Sequence, residues 1–105
     1  MAFAELKDMV RFSPEKMAKN NIFDSQHMFC DVYCFEPGQV QKPHAHADSD
    51  KVYYVVEGAV DIQVGDETCR VTAGGLAHAA PGVAHGATNP GPDQAKVLVF
   101  MSPKP

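Results

Sequence analysis

Residues 38–58 read GQVQKPHAHADSDKVYYVVEG. The run opens and closes on glycine and carries His44 and His46 two positions apart. In an extended chain such a pair leaves one face, with Cα atoms about 6.6–7 Å apart. Two imidazoles so placed can converge on one ion at about 2.0–2.1 Å. The same pair also reads as two exposed loop histidines, and His-x-His alone does not separate the readings. Downstream, Lys51, Tyr53 and Val55 alternate with Asp50, Val52, Tyr54 and Val56. The two sets face opposite sides of a strand, so only one of Asp50 and Lys51 can share a face with the ion.

On both sides of this run the chain reads as short strands punctuated by eight prolines and eight glycines. Strands are expected over residues 28–36, 52–57, 59–64, 68–72, 76–80 and 95–101, each ended by a turn signal. Val60, Ile62 and Val64 alternate with Asp61 and Gln63, the pattern of a half-buried strand. Many short strands in one chain point to an all-β sandwich or barrel. One short N-terminal helix is expected to start at Ser13-Pro14, with Ser13 as cap and Pro14 in the first turn, and to end at Lys19. The segment from Asn89 to Asp93 reads as a rigid surface turn, and Pro103-Lys104-Pro105 as a loose end.

A chain of 105 residues suits one domain covering residues 1–105. A net charge of −4 without a Lys/Arg block argues against nucleic acid and anionic membranes as partners. The start, MAFAELKDMVRF, lacks the apolar core of a signal peptide, and no apolar run is long enough to span a bilayer, so a cytoplasmic location is expected. Cys30, Cys34 and Cys69 are odd in number and form no CxxC, so no disulfide framework is expected. Cys30 and Cys34 read as buried small hydrophobes on one face of a strand. Val52, Tyr54 and Val56 form an apolar row on the outward face that needs cover, and a homodimer is expected.

A second run, residues 74–89, reads GGLAHAAPGVAHGATN. With the first, it resembles the two signature motifs of the cupin family. Motif one (residues 38–58) keeps Gly38, His44, His46 and Gly58 at the family spacing, and motif two (residues 74–89) keeps Gly74, Gly82, His85 and Asn89. The motif-two proline is displaced by one place, from Ala80 to Pro81. The motif-one glutamate is missing: counted back from Gly58, its position holds Lys51. The resemblance implies a small double-stranded β-helix, or jelly-roll, barrel around a metal held by two motif-one histidines, the glutamate and the motif-two histidine. Carried over, His44, His46 and His85 are the metal ligands and the carboxylate is absent. Some cupin-type dioxygenases use three histidines, so a divalent ion (Fe, Ni, Zn, Mn or Cu) is the implied cofactor.

Three neutral imidazoles leave such an ion its full charge and open positions, which favours an anionic or oxygen-rich small ligand. Lys51 has three readings: a rim residue, an inward group holding a substrate anion, or a replacement for the metal. Lys51 and Tyr53 are the candidate catalytic residues, with Gln63 a further candidate for lining the barrel. His78 reads as packed or at an interface and His27 as surface. Three functions follow: a mononuclear metal enzyme of dioxygenase or isomerase type, a binding module that senses or stores a ligand, and a metal-free barrel.

Overall fold

The computed structural model describes residues 2–105. Nine strands follow a single helical turn, α1 (Leu6–Met9). They are β1 (Ala18–Asp24), β2 (Phe29–Phe35), β3 (Val40–His44), β4 (Asp50–Glu57), β5 (Ala59–Val64), β6 (Glu67–Thr72), β7 (Leu76–Ala79), β8 (His85–Thr88) and β9 (Ala95–Ser102). One sheet has the order β1-β2-β9-β4-β7 and the other β3-β8-β5-β6, with every pairing antiparallel. Their facing sides enclose one core of Tyr33, Phe35, Tyr53, Val55, Val60, Ile62, Val97 and Val99. The result is an all-β double-stranded β-helix barrel. Among the described residues no helix is long and apolar enough to cross a membrane.

All six expected strands form within about two residues of their expected bounds. The expected helix over residues 13–19 does not form. The Glu15 N–H donates to Ser13 Oγ at 3.3 Å, so Ser13 caps a bend. The chain then extends as edge strand β1, with Ala18 opposite Cys34 and Lys19 opposite Tyr33. Met17 is drawn into the core, and that burial together with a ladder to β2 outweighs a weak local helix signal. Cys30 and Cys34 are buried as expected, while Cys69 is exposed. The C-terminal end is tied rather than loose: Ser49 Oγ donates to the Pro103 carbonyl at 2.6 Å and Lys104 pairs with Asp24. Outward-facing Val52, Tyr54 and Val56 are half-buried within the one chain.

Candidate metal centre

His44 ends β3 and His85 begins β8, and the two stand opposite each other across the β3–β8 ladder. The ladder is irregular between Gln41 and His44, where Pro43 offers no N–H. Gly86 allows this close approach. A Cβ there would lie 2.9 Å from the Gln41 carbonyl oxygen and 3.0 Å from the Pro43 nitrogen, both unyielding backbone atoms. Gly86→Ala is therefore expected to push the strands apart and to destabilise the barrel by about 1–3 kcal/mol. Chemical denaturation measures this, and unchanged stability would mean the strands separate freely.

His46 lies just past β3, and one ring nitrogen from each of His44, His46 and His85 falls within 4.8 Å of the others. The His44 ring centroid is 4.8 Å from that of His46 and 4.6 Å from that of His85. Main-chain carbonyls fix two of the tautomers. His44 Nδ1–H donates to the Lys42 carbonyl at 3.0 Å, and His85 Nδ1–H donates to the Val83 carbonyl at 2.9 Å. Each leaves an Nε2 lone pair free, the arrangement by which ligating histidines are held in place. His85 Nε2 is buried and has no hydrogen-bond partner among the described residues. Burial first, then the charges of Lys51, His44 and His46, pull the His85 pKa down to about 4 against one carbonyl bond that raises it. Burial first, then the charges of His44, Lys51 and Lys19, lower His46 too. Both rings are thus neutral donors near pH 7, the form that binds metal. Three converging imidazoles, one with an orphaned buried nitrogen, fit a divalent transition ion.

The place of the family glutamate is taken by Lys51. It is 1% exposed, faces inward on β4 and stands opposite Met101 and Ala79. Asp50 points outward, where its Oδ1 lies 2.7 Å from His78 Nε2. The Lys51 ammonium sits 5.2 Å from the Tyr33 ring centroid and 5.1 Å from that of Tyr53. Such contacts to ring faces stabilise a cation only partly. Burial, with Lys19 nearby, lowers its pKa to about 8, against a smaller opposing pull from Asp31.

The structure also gives the position of the other predicted residues. Tyr53 is fully buried, with its ring centroid 6.2 Å from that of His85. Its hydroxyl donates to Gln41 Oε1 at 2.8 Å, and Gln41 Nε2 donates to the Tyr33 hydroxyl at 3.4 Å. Burial raises the pKa of both phenols, so they stay protonated. Gln63 lies outside the site, its Nε2 donating to the Gly65 carbonyl at the end of β5. His78 is exposed and paired with Asp50, not packed, because its position on β7 alternates out of the barrel. His27 is exposed as expected. Asn89 braces the following turn: its Nδ2 donates to the Phe35 and Asp93 carbonyls and its Oδ1 accepts the Gly91 N–H.

Gln41, Tyr33, Lys19 and Asp31 were not singled out in the sequence. Gln41 stood inside motif one, and Tyr33 alternates with Phe35 on a recognised strand, so a parity reading of β2 would have brought Tyr33 into view. Lys19 lay in the segment read as helix.

The family model described as "Cupin domain" matches residues 31–101. A protein of Streptomyces coelicolor is 36% identical over 81 residues, covering 75% of this chain and 74% of its own. The crystal structure of TT1209 from Thermus thermophilus is 44% identical, covers all of both chains and superposes with a TM-score of 0.97. A Klebsiella pneumoniae protein with a double-stranded β-helix domain, 24% identical over 98% of this chain and 90% of its own, shares the fold at a TM-score of 0.91. With both motifs framing a barrel that gathers their three histidines, the chain belongs to the cupin family.

Proposed function

We propose that this cupin holds one divalent transition metal on His44, His46 and His85 and acts there on a small oxygen-rich or anionic molecule, in the manner of a dioxygenase or isomerase. The buried Nε2 of His85, without a hydrogen-bond partner among the described residues and in a ring set beside the other two, carries this reading. An unmade hydrogen bond at a buried nitrogen costs about 1–3 kcal/mol, which a metal bond would offset. When bound, the ion supplies Lewis acidity to a substrate oxygen. The protein's own groups do the rest. The carbonyls of Lys42 and Val83 hold two rings in the donor tautomer. Lys51 adds positive charge where the family carries a carboxylate, and the Tyr53–Gln41–Tyr33 chain fixes the wall beneath it.

A second reading, a cupin that senses or stores a ligand without turnover, draws on the scarcity of bases. Asp31, the acid whose charge acts on Lys51, already accepts a hydrogen bond from Asn21 Nδ2 at 2.9 Å. Protein purified without a metal column and reconstituted anaerobically with ferrous, zinc or manganese ions is expected to bind one ion per chain by elemental analysis. No uptake of any of them would overturn both metal readings. Oxygen consumption with diketones, thiols and hydroxy acids then separates enzyme from binder.

The three free thiols suit a reducing compartment, the cytoplasm. Pairing of two copies is part of the same proposal. Val52, Tyr54, Leu98, Phe100 and Leu76 share the outer face of the larger sheet, with Leu76 65% exposed on edge strand β7. These side chains are uncharged, bordered by the Asp50–His78 pair, and match a second copy better than a charged partner. Light scattering is expected to give a dimer, and Leu76→Asp a monomer; a monomeric wild type refutes the pairing.

A further inference from the structure

We propose that Lys51 and Lys19 form a cationic clamp for a carboxylate of a small organic acid whose other end faces the three histidines. The inference deepens the reading above and rests on it only for where the far end of the ligand lies.

Two ammonium groups share one aromatic ring. Lys51 Nζ is 5.2 Å and Lys19 Nζ 5.6 Å from the Tyr33 centroid. Like charges brought to one ring repel, and one of them is almost wholly buried. Buried charges are ordinarily paired. Among the described residues neither ammonium lies within ion-pair distance of a carboxylate, for the four ion pairs use Arg70, His78, Lys96 and Lys104. Asp31 lies on the same strand face as Tyr33 and is held by Asn21 instead. A protein of net charge −4 thus gathers positive charge at the mouth of its barrel that the nearby Asp31 offsets only in part.

There is also room for a ligand. A cleft of about 760 Å³ runs between β1 and β3, lined by Lys16, Lys19, Lys42, Met17, Gln41 and His44. Its lining includes Lys19 and the metal-centre histidine His44 but not Lys51, which is buried against the Tyr33 ring that Lys19 also approaches. Phosphate is the weaker candidate. Phosphate sites add to any lysine a set of backbone N–H groups at a helix N-terminus or in a nest, or a guanidinium fork. The named lining supplies ammonium groups, apolar side chains and strand backbone, which suit a carboxylate on a short carbon chain.

The test titrates succinate, neutral succinamide and inorganic phosphate by calorimetry into zinc-loaded and chelator-stripped protein. Succinate is expected to bind the wild type and succinamide to bind at least about 10-fold more weakly, a difference of about 1.4 kcal/mol. Lys51→Met should weaken succinate about 10-fold or more and Lys19→Gln about 3-fold, with affinity falling as salt rises. Zinc stoichiometry should stay at the wild-type value in both variants. Equal binding of succinamide, stronger binding of phosphate, or succinate affinity unchanged in Lys51→Met would each overturn the clamp. If the wild type takes up no zinc but the stripped protein still binds succinate through Lys51, the metal centre fails and the clamp stands.

Discussion

Replacing His85 with alanine is expected to abolish stoichiometric metal uptake while leaving the barrel folded. Residues that only orient a ligand typically change metal affinity about 10–100-fold when removed. Losing one of three protein donors should exceed that range. The fold should survive because His85 contributes little to cohesion. It stands outside the apolar core cluster, its Nε2 has no hydrogen-bond partner among the described residues, and its Nδ1–H makes one bond to a loop carbonyl. That bond and the vacated space together are worth about 1–2 kcal/mol, small beside the loss of metal. Elemental analysis and a thermal melt on the same sample measure both effects. His78→Ala is the control. It removes another motif-two histidine, but one that is exposed and paired with Asp50, so metal uptake should not change. One equivalent of metal retained by His85→Ala would place the centre elsewhere.

The cluster of three histidines was legible in the sequence because spacing carries it. Gly38 and Gly58 frame His44 and His46, and Gly74 and Asn89 frame His85, so strand parity and two motifs sufficed. Parity alone set Asp50 and Lys51 on opposite faces without saying which face is inside, and the barrel decides it. Lys51 shares the buried row of Tyr53 and Val55, and Asp50 shares the outward row. Strand β1 was not legible. Its sequence, AKNNIFD, has neither clear alternation nor β-branched enrichment, and Ser13-Pro14 before it imitates a helix start. Only the ladder to β2, a contact remote in sequence, makes it a strand. That miss concealed Lys19, since a residue assigned to a helix could not be set opposite Tyr33. The Tyr53–Gln41–Tyr33 chain was hidden for the same reason: its members come from three strands and two sheets, and no local pattern joins them.

Lys51→Met is expected to stabilise the ligand-free protein by about 2–3 kcal/mol at pH 7. The reason is the cost of keeping an ammonium in the barrel. The folded-state pKa is about 8, against an ordinary lysine value of 10.5. At pH 7 the side chain is charged in both the folded and unfolded chain, so the whole penalty falls on the folded state. Between about pH 8 and 10.5 the unfolded chain binds more protons at this position, so wild-type stability gains with rising pH. The variant lacks that contribution. The advantage of Lys51→Met over wild type should therefore be flat below about pH 8 and shrink toward pH 10.5. Methionine is flexible and of comparable length, so it can fill the space beside Met101 and Ala79 without a large cavity. The faces of Tyr33 and Tyr53 return part of the ammonium's cost, which is why the expected gain is below the full pKa equivalent. At about 4–8 °C per kcal/mol for a domain near this size, the melting temperature should rise by roughly 10–20 °C. Melts of both proteins from pH 6 to about pH 10 decide the matter. A destabilised variant, or a difference that does not vary with pH, would mean the ammonium is satisfied in the folded chain. A stabilised variant that also loses carboxylate binding would identify Lys51 as a residue kept for its charge at the expense of stability, the trade expected where a site needs an unpaired ion before its ligand arrives.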